Sequence, residues 1–263
     1  MPVLHSRYEL LHKRLIRFTR ALHGVEKGSV PALHRARVAS RRLREVLPVL
    51  QLDSDVSGGL GKRLRRVTHR LGTVRELDVL LLLVDELHES GRYDEAALSR
   101  VVGTIAEERG KARGRLSSRL PMRELRRLSN KLQKVADKVA DEAREGATAR
   151  GWRWAIDARV KHRAEALKEA VGAAGVYLCD RVHAVRVAVK KVRYAVELEA
   201  EISAEESWRA DLVTLKRVQS VLGRLHDWEV LIDRVRQVQA SLTPPNLTLW
   251  RALGGLLTAV ETE

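Results

Sequence analysis

Cysteine, aromatic residues and long apolar runs are all scarce in this chain. Of 263 residues one is a cysteine, Cys179, which excludes a disulfide within the chain and any cluster of thiolate ligands for zinc. Aromatic residues make up 4%, and Phe18 is the sole phenylalanine, which argues against a surface that stacks single-stranded bases. The longest apolar run, Val79 to Val84, spans six residues, far short of the roughly 20 that cross a bilayer as a helix. The opening stretch MPVLHSRYEL lacks the apolar core of a secretory signal. These absences lead us to expect a soluble, cytoplasmic protein.

What is abundant is positive charge. Lys and Arg number 49 against 34 Asp and Glu, a formal net charge of +15, so the expected partner is an anion. Hydrophobic residues at 44% suffice for a sizeable core. They recur at three- and four-residue intervals, as in Leu60, Leu64, Val67, Leu71 and again in Leu212, Leu215, Val218, Leu222, while strict alternation is rare. Leu, Ala, Arg, Glu and Lys dominate, and these residues lose little side-chain freedom in a helix. Prolines (Pro31, Pro48, Pro121, Pro244, Pro245) and glycines, among them Gly58, Gly59, Gly72, Gly151, Gly172 and Gly223, read as breaks. The pattern predicts an all-α fold of about ten helices, most of 15 to 25 residues, and no sheet.

An internal repeat carries the functional information. HRARVASRRLR (34–44) and HAVRVAVKKVR (183–193) share five of eleven residues, and Arg41-Arg42 is matched by Lys190-Lys191. RRVTHRLGTVRELDVLL (65–81) and KRVQSVLGRLHDWEVLI (216–232) follow in the same order at nearly the same offset. The repeat implies two similar helical halves, 1–120 and 121–263, about an approximate two-fold axis.

At about 100° per residue, His34, Arg37, Arg41 and Arg44 fall within an arc of about 80°, with Ala36, Ala39, Leu43 and Val46 opposite. His183, Arg186, Lys190 and Arg193 repeat that stripe, with Val185, Ala188, Val189 and Val192 behind it. Each stripe runs about 15 Å along its helix. No carboxylate falls within 34–44 or 183–193, and cations one turn apart repel one another, so an external anion would complete the site. Forked guanidinium donors match phosphate oxygens, lysine adds a mobile charge and histidine a titratable donor. A row of such groups suits a linear polyanion. Arg42 and Lys191 adjoin the stripes; Arg65 and Lys216, matched in the following helices, either reach an inter-helix groove or face solvent.

Glu76 and Asp78, like Asp227 and Glu229, follow a Leu-Gly pair read as a helix end. They are expected at the start of the next helix, where the dipole favours negative charge, rather than on a metal. The five tryptophans, Trp152, Trp154, Trp208, Trp228 and Trp250, are expected in the core. Neither GxxxxGK[ST] nor GxGxxG occurs. No serine elbow or activated cysteine is seen, so no catalytic residue, metal or cofactor is expected. Two rival readings stay open, a nucleic-acid-binding protein and a phosphate-chain-processing enzyme.

The stripe His-x-x-Arg-Val-Ala-x-Arg-Arg-x-Arg, then Leu-Gly-x-x-Arg-Glu-Leu-Asp-Val, resembles the first half of a CHAD domain, the conserved histidine α-helical domain. His183 to Glu197, with Leu222-Gly223 and Asp227, resembles the second half. Glu76 stands where that family usually has Asp, and His226 where an amide is common. The resemblance implies one domain over 1–263 made of two pseudo-symmetric four-helix bundles with a central basic groove or pore. It further implies binding of inorganic polyphosphate and association with polyphosphate granules, without catalysis. Carried over by position, the binding residues would be His34, Arg37, Arg41, Arg44, His183, Arg186, Lys190 and Arg193.

Overall fold

A computed structural model describes residues 6–144, 150–175, 178–203, 205–242 and 246–262. Among them are nine α-helices and no strand: α1 Arg7–Glu26, α2 Val30–Val46, α3 Ser54–Glu89, α4 Glu95–Arg119, α5 Met122–Arg144, α6 Arg150–Ala174, α7 Leu178–Ile202, α8 Ser207–Ala240 and α9 Leu247–Thr262. A single 3-10 turn, Leu47–Val49, ends α2 at Pro48. Pro31 lies in the first turn of α2 and Pro121 just precedes α5, positions where a missing N–H is harmless. Pro244 and Pro245 lie outside the described residues, as does the side chain of Cys179.

Local chemistry starts these helices where the sequence suggests. Ser6 caps α1 by a reciprocal pair: its hydroxyl accepts from Glu9 N at 3.1 Å and its own N–H donates to Glu9 Oε2 at 3.3 Å. Gly28, at φ +72°, turns the chain into α2, and Ser29 accepts from Ala32 N at 3.4 Å. The α1–α2 hairpin that results is tight. A Cβ placed on Gly24 would lie 2.4 Å from the Ala32 Cβ, so only glycine lets these helices approach so closely.

Helix length departs from expectation at the Leu-Gly pairs. Helices α3 and α8 span 36 and 34 residues and run straight through Leu71-Gly72 and Leu222-Gly223. A mid-helix glycine costs only about 1 kcal/mol relative to alanine. Across the α3 junction the stripe Leu64, Val67, Leu71, Val74 stays at 0–4% exposure, and burial of that order outweighs the cost. Gly58, Gly59, Gly151 and Gly172 likewise lie inside helices. Glu76, Asp78, Asp227 and Glu229 are therefore mid-helix residues and cap nothing. Asp78 is buried and receives Arg109 Nε at 2.5 Å from α4.

The chain packs into two compact units, and each draws on both sequence repeats. One comprises residues 1–71 and 120–222, the other 72–119 and 223–263. In the first, α1 packs on α2 and α5, α6 packs on α7, and α2 meets α7. Leu10, Leu11, Leu15 and Phe18 of α1 and Trp152 of α6 are fully enclosed or nearly so. In the second, α4 packs on α9 around Leu80, Val84, Leu98, Val101, Ile105, Leu231 and Leu253. Two expectations of burial fail. Trp154 and Trp250 are 77% and 51% exposed, because each lies on the outer side of an already filled helix face. Val218 is also exposed, whereas Leu212, Leu215 and Leu222 pack against the α6–α7 core.

Because Gly24 sets the α1–α2 spacing, Gly24→Leu should lower stability by about 2 kcal/mol through overpacking. A chemical denaturation midpoint shifted down at unchanged slope would register it.

Candidate functional site

The two stripes occupy α2 and α7 of the first unit. On α2 the apolar face is as the period predicts: Ala36, Ala39, Leu43 and Val46 are 0–5% exposed. The hydroxyls of Ser40 and Thr68 lie 2.8 Å apart and pin α2 to α3. That fixes the rotation of α2, leaving His34 exposed and Arg37, Arg41 and Arg44 half-buried. On α7, His183 is exposed, Arg186 and Lys190 are half-buried, and Arg193 is buried. The Nε atoms of Arg37 and Arg186, at matched repeat positions, are both buried.

Electrostatics divide the cations into two groups. Burial pushes the Arg44 guanidinium below its ordinary pKa, and the charges of Arg41 and Arg65 push the same way while Glu45 opposes them. Glu45 itself is buried and receives Arg159 of α6 at 2.5 Å through Nη2 and 3.2 Å through Nε. Arg41, Arg44 and Arg65 thus form a cluster of like charge whose nearby carboxylate is already engaged elsewhere. Arg65 and its repeat counterpart Lys216 are both exposed, on α3 and α8.

The second group is tied down. Arg42 donates from Nε to Glu197 Oε2 and from Nη2 to Glu197 Oε1, both at 3.1 Å. Arg193 donates from Nη1 to the same Oε1 and from Nε to Gln219 Oε1 at 2.6 Å, and its guanidinium lies 4.3 Å over the Tyr194 ring. Deeper in, Arg14 of α1 contacts Glu201 at 2.9 Å and Lys13 contacts it at 3.2 Å. Burial lowers the pKa of Arg14; Glu201 opposes that shift, and Arg42 reinforces it. The helices bearing the two stripes are therefore held together by guanidinium–carboxylate contacts at their C-terminal ends.

Lys191 and His183 sit instead on a cleft of about 370 Å³ between α6 and α7, which Arg163 also lines over a floor of Ala166, Ala170 and Val187. Arg163 and Glu197 were not anticipated, yet both left signals. Arg163 follows Arg14 by 149 residues, the offset of the histidine pair. Glu197 falls one turn past Arg193 in the same arc. Among the described residues no three metal-ligating side chains gather, and no helix is long and apolar enough to cross a membrane.

Nine helices, no strand among the described residues, and cation-bearing faces on two contacting helices define a polybasic all-helical protein. The chain belongs to the CHAD domain family, whose model matches residues 9–236. Its fold is similar to the crystal structure of the CHAD domain from the plant Ricinus communis, at 20% identity and a TM-score of 0.71, covering 100% of this chain and 89% of that one. It is also similar to PptA from Streptomyces chartreusis, at 20% identity and a TM-score of 0.61, covering 100% and 95%. At such identity the likeness is one of fold. No curated protein matches the sequence.

The division between tied and untied cations predicts opposite stability costs. Arg193→Ala should cost about 2 kcal/mol, since it strips a buried partner from Glu197 and Gln219. Arg41→Ala should cost under about 0.5 kcal/mol or even stabilise, because it relieves repulsion on Arg44. Paired thermal melts at low salt would separate the two.

Proposed function

We propose that this protein binds inorganic polyphosphate along the basic faces of α2 and α7, as a granule-associated or regulatory protein of the cytoplasm without catalysis of its own. The observation that carries the reading is the row of half-buried cations, Arg37, Arg41 and Arg44, on α2, which packs against α7 and its matching row. Like charges held together by the core on which their helices pack are stabilised by whatever anion joins them. A flexible phosphate chain supplies one negative charge per unit and can follow a row of cations spaced by one helical turn. His34, His183, Arg186 and Lys190 extend the contact surface from that row.

Membership of the CHAD family supports polyphosphate over other polyanions. The exposed Trp154 gives nucleic acid one stacking surface, so the ligands are to be compared directly. Polyphosphate, single-stranded DNA and RNA are titrated against a labelled polyanion at equal phosphate concentration. Polyphosphate is expected to compete at micromolar levels in moderate salt, with affinity falling steeply as salt rises. Preference for DNA or RNA would overturn the assignment, and phosphate release from the chain in the presence of Mg²⁺ would overturn its non-catalytic part.

Arg41→Ala should weaken polyphosphate binding about fivefold, the equivalent of one exposed charge-assisted contact of about 1 kcal/mol, with helicity unchanged. His34 and His183 are exposed on the two stripes and each imidazole can donate to a phosphate oxygen. The double variant His34→Ala, His183→Ala should weaken polyphosphate binding severalfold with helicity unchanged, as isothermal titration would record.

A further inference from the structure

We propose that Glu197 is a built-in anion, occupying a phosphate subsite formed by Arg42 and Arg193, and that a bound phosphate chain must displace it to use these two cations. The inference rests on the polyphosphate reading above and adds the residue that regulates it.

The face of α7 that carries His183, Arg186, Lys190 and Arg193 continues at position 197 within the same arc of about 80°. There the residue type changes from cation to carboxylate. Glu197 does not point away from the lane. It accepts two parallel bonds from Arg42 at 3.1 Å and a third from Arg193 Nη1. Paired donors on two oxygens of one acidic group form the fork that a guanidinium offers to carboxylate and phosphate alike. Two guanidiniums on a single carboxylate leave one positive charge uncompensated by it, so the subsite holds less negative charge than it can accept.

Access and preorganisation fit an exchange. The side chains of Arg193 and Glu197 are 9% and 13% exposed, whereas that of Arg42 is 29% exposed, so an external anion would enter on the Arg42 side. Arg193 would keep its place when the carboxylate leaves, because Gln219 holds Nε and the ring of Tyr194 lies beneath the guanidinium. Arg14, within electrostatic reach of Glu197, would attract the displaced carboxylate. A tethered carboxylate has a high effective concentration, so a lone phosphate ion competes with it poorly. A chain already held by Arg41 and Arg44 delivers its next phosphate at a comparable effective concentration. Glu197 thereby reserves this subsite for multivalent ligands.

The test titrates long-chain polyphosphate into the unsubstituted protein, Glu197→Gln and Glu206→Gln at several salt concentrations. Glu206 is an exposed carboxylate in the same unit, with a side chain 87% exposed, so its removal changes net charge without opening the subsite. Glu197→Gln should bind about threefold to tenfold more tightly than Glu206→Gln. Its logarithmic salt dependence should be steeper by about 1.4, the value for two further cations engaged on a single strand. Adding Arg42→Met to Glu197→Gln should abolish that gain, with Arg193 still held by Gln219 Oε1. Glu197→Asp, which keeps the charge but withdraws it by one methylene, should show a gain of about twofold and serves if the glutamine variant fails to fold. Binding by Glu197→Gln and Glu197→Asp no tighter than by Glu206→Gln, or a gain that survives loss of Arg42, would overturn the inference alone. Failure of the unsubstituted protein to bind polyphosphate would take down the functional reading as well.

Discussion

One carboxylate, Glu197, stands between guanidiniums from two helices, and the geometry of the candidate site follows from that arrangement. Arg42 reaches it from α2 and Arg193 from its own helix α7, so the helices carrying the two basic stripes are fastened at their C-terminal ends. Apolar packing alone would bring α2 and α7 together without fixing their rotation, since dispersion and burial are non-directional. A bidentate contact is directional and sets the register. Rotation is further limited by the Ser40–Thr68 hydroxyl contact and by Glu45 bound to Arg159. Apart from Arg193, a buried member of the α7 stripe, these contacts use polar groups beside the stripes.

The face of each stripe was legible because period alone decides it. Apolar residues at three- and four-residue spacing define the inner side, and every predicted inner residue of α2 is buried. Helix boundaries were less legible where glycine was the only signal. Gly28 does turn the chain, at φ +72°, while Gly72 and Gly223 lie inside unbroken helices. The difference lies in what surrounds them. Gly28 precedes a serine cap and a proline in the first turn, two further local stops, whereas Gly72 sits in an apolar stripe that continues on both sides. A single glycine contributes about 1 kcal/mol against helix, which local capping can reinforce and tertiary burial can override.

Tryptophan burial shows a different limit. Trp152 and Trp154 are two residues apart on one helix, so they project about 160° apart. One is fully enclosed and the other 77% exposed. Composition predicts large aromatics inside, but a helix can bury only one of two residues at that separation. The periodicity distinguishes the two positions, whereas composition treats both tryptophans alike.

The partition of the arginines was the least legible feature, and the reason is physical. Arg41, Arg42, Arg44 and Arg193 are one residue type, yet they divide by whether a carboxylate of the chain receives them: Glu197 takes Arg42 and Arg193. A guanidinium withdrawn from water needs an anionic or polar partner from the chain, and Arg193 and Arg14 have theirs in Glu197, Gln219 and Glu201. A half-buried guanidinium keeps part of its hydration, so Arg41 and Arg44 can remain near like charges at a tolerable cost. For Arg42 and Arg14 the carboxylate lies at 197 or 201, more than 150 residues along the chain, whereas Arg193 meets Glu197 one turn away. No local window contains both ends of the Arg42–Glu197 or Arg14–Glu201 pair. The anion-seeking surface is therefore what remains after the fold has spent its own carboxylates, a property of the whole unit rather than of either stripe.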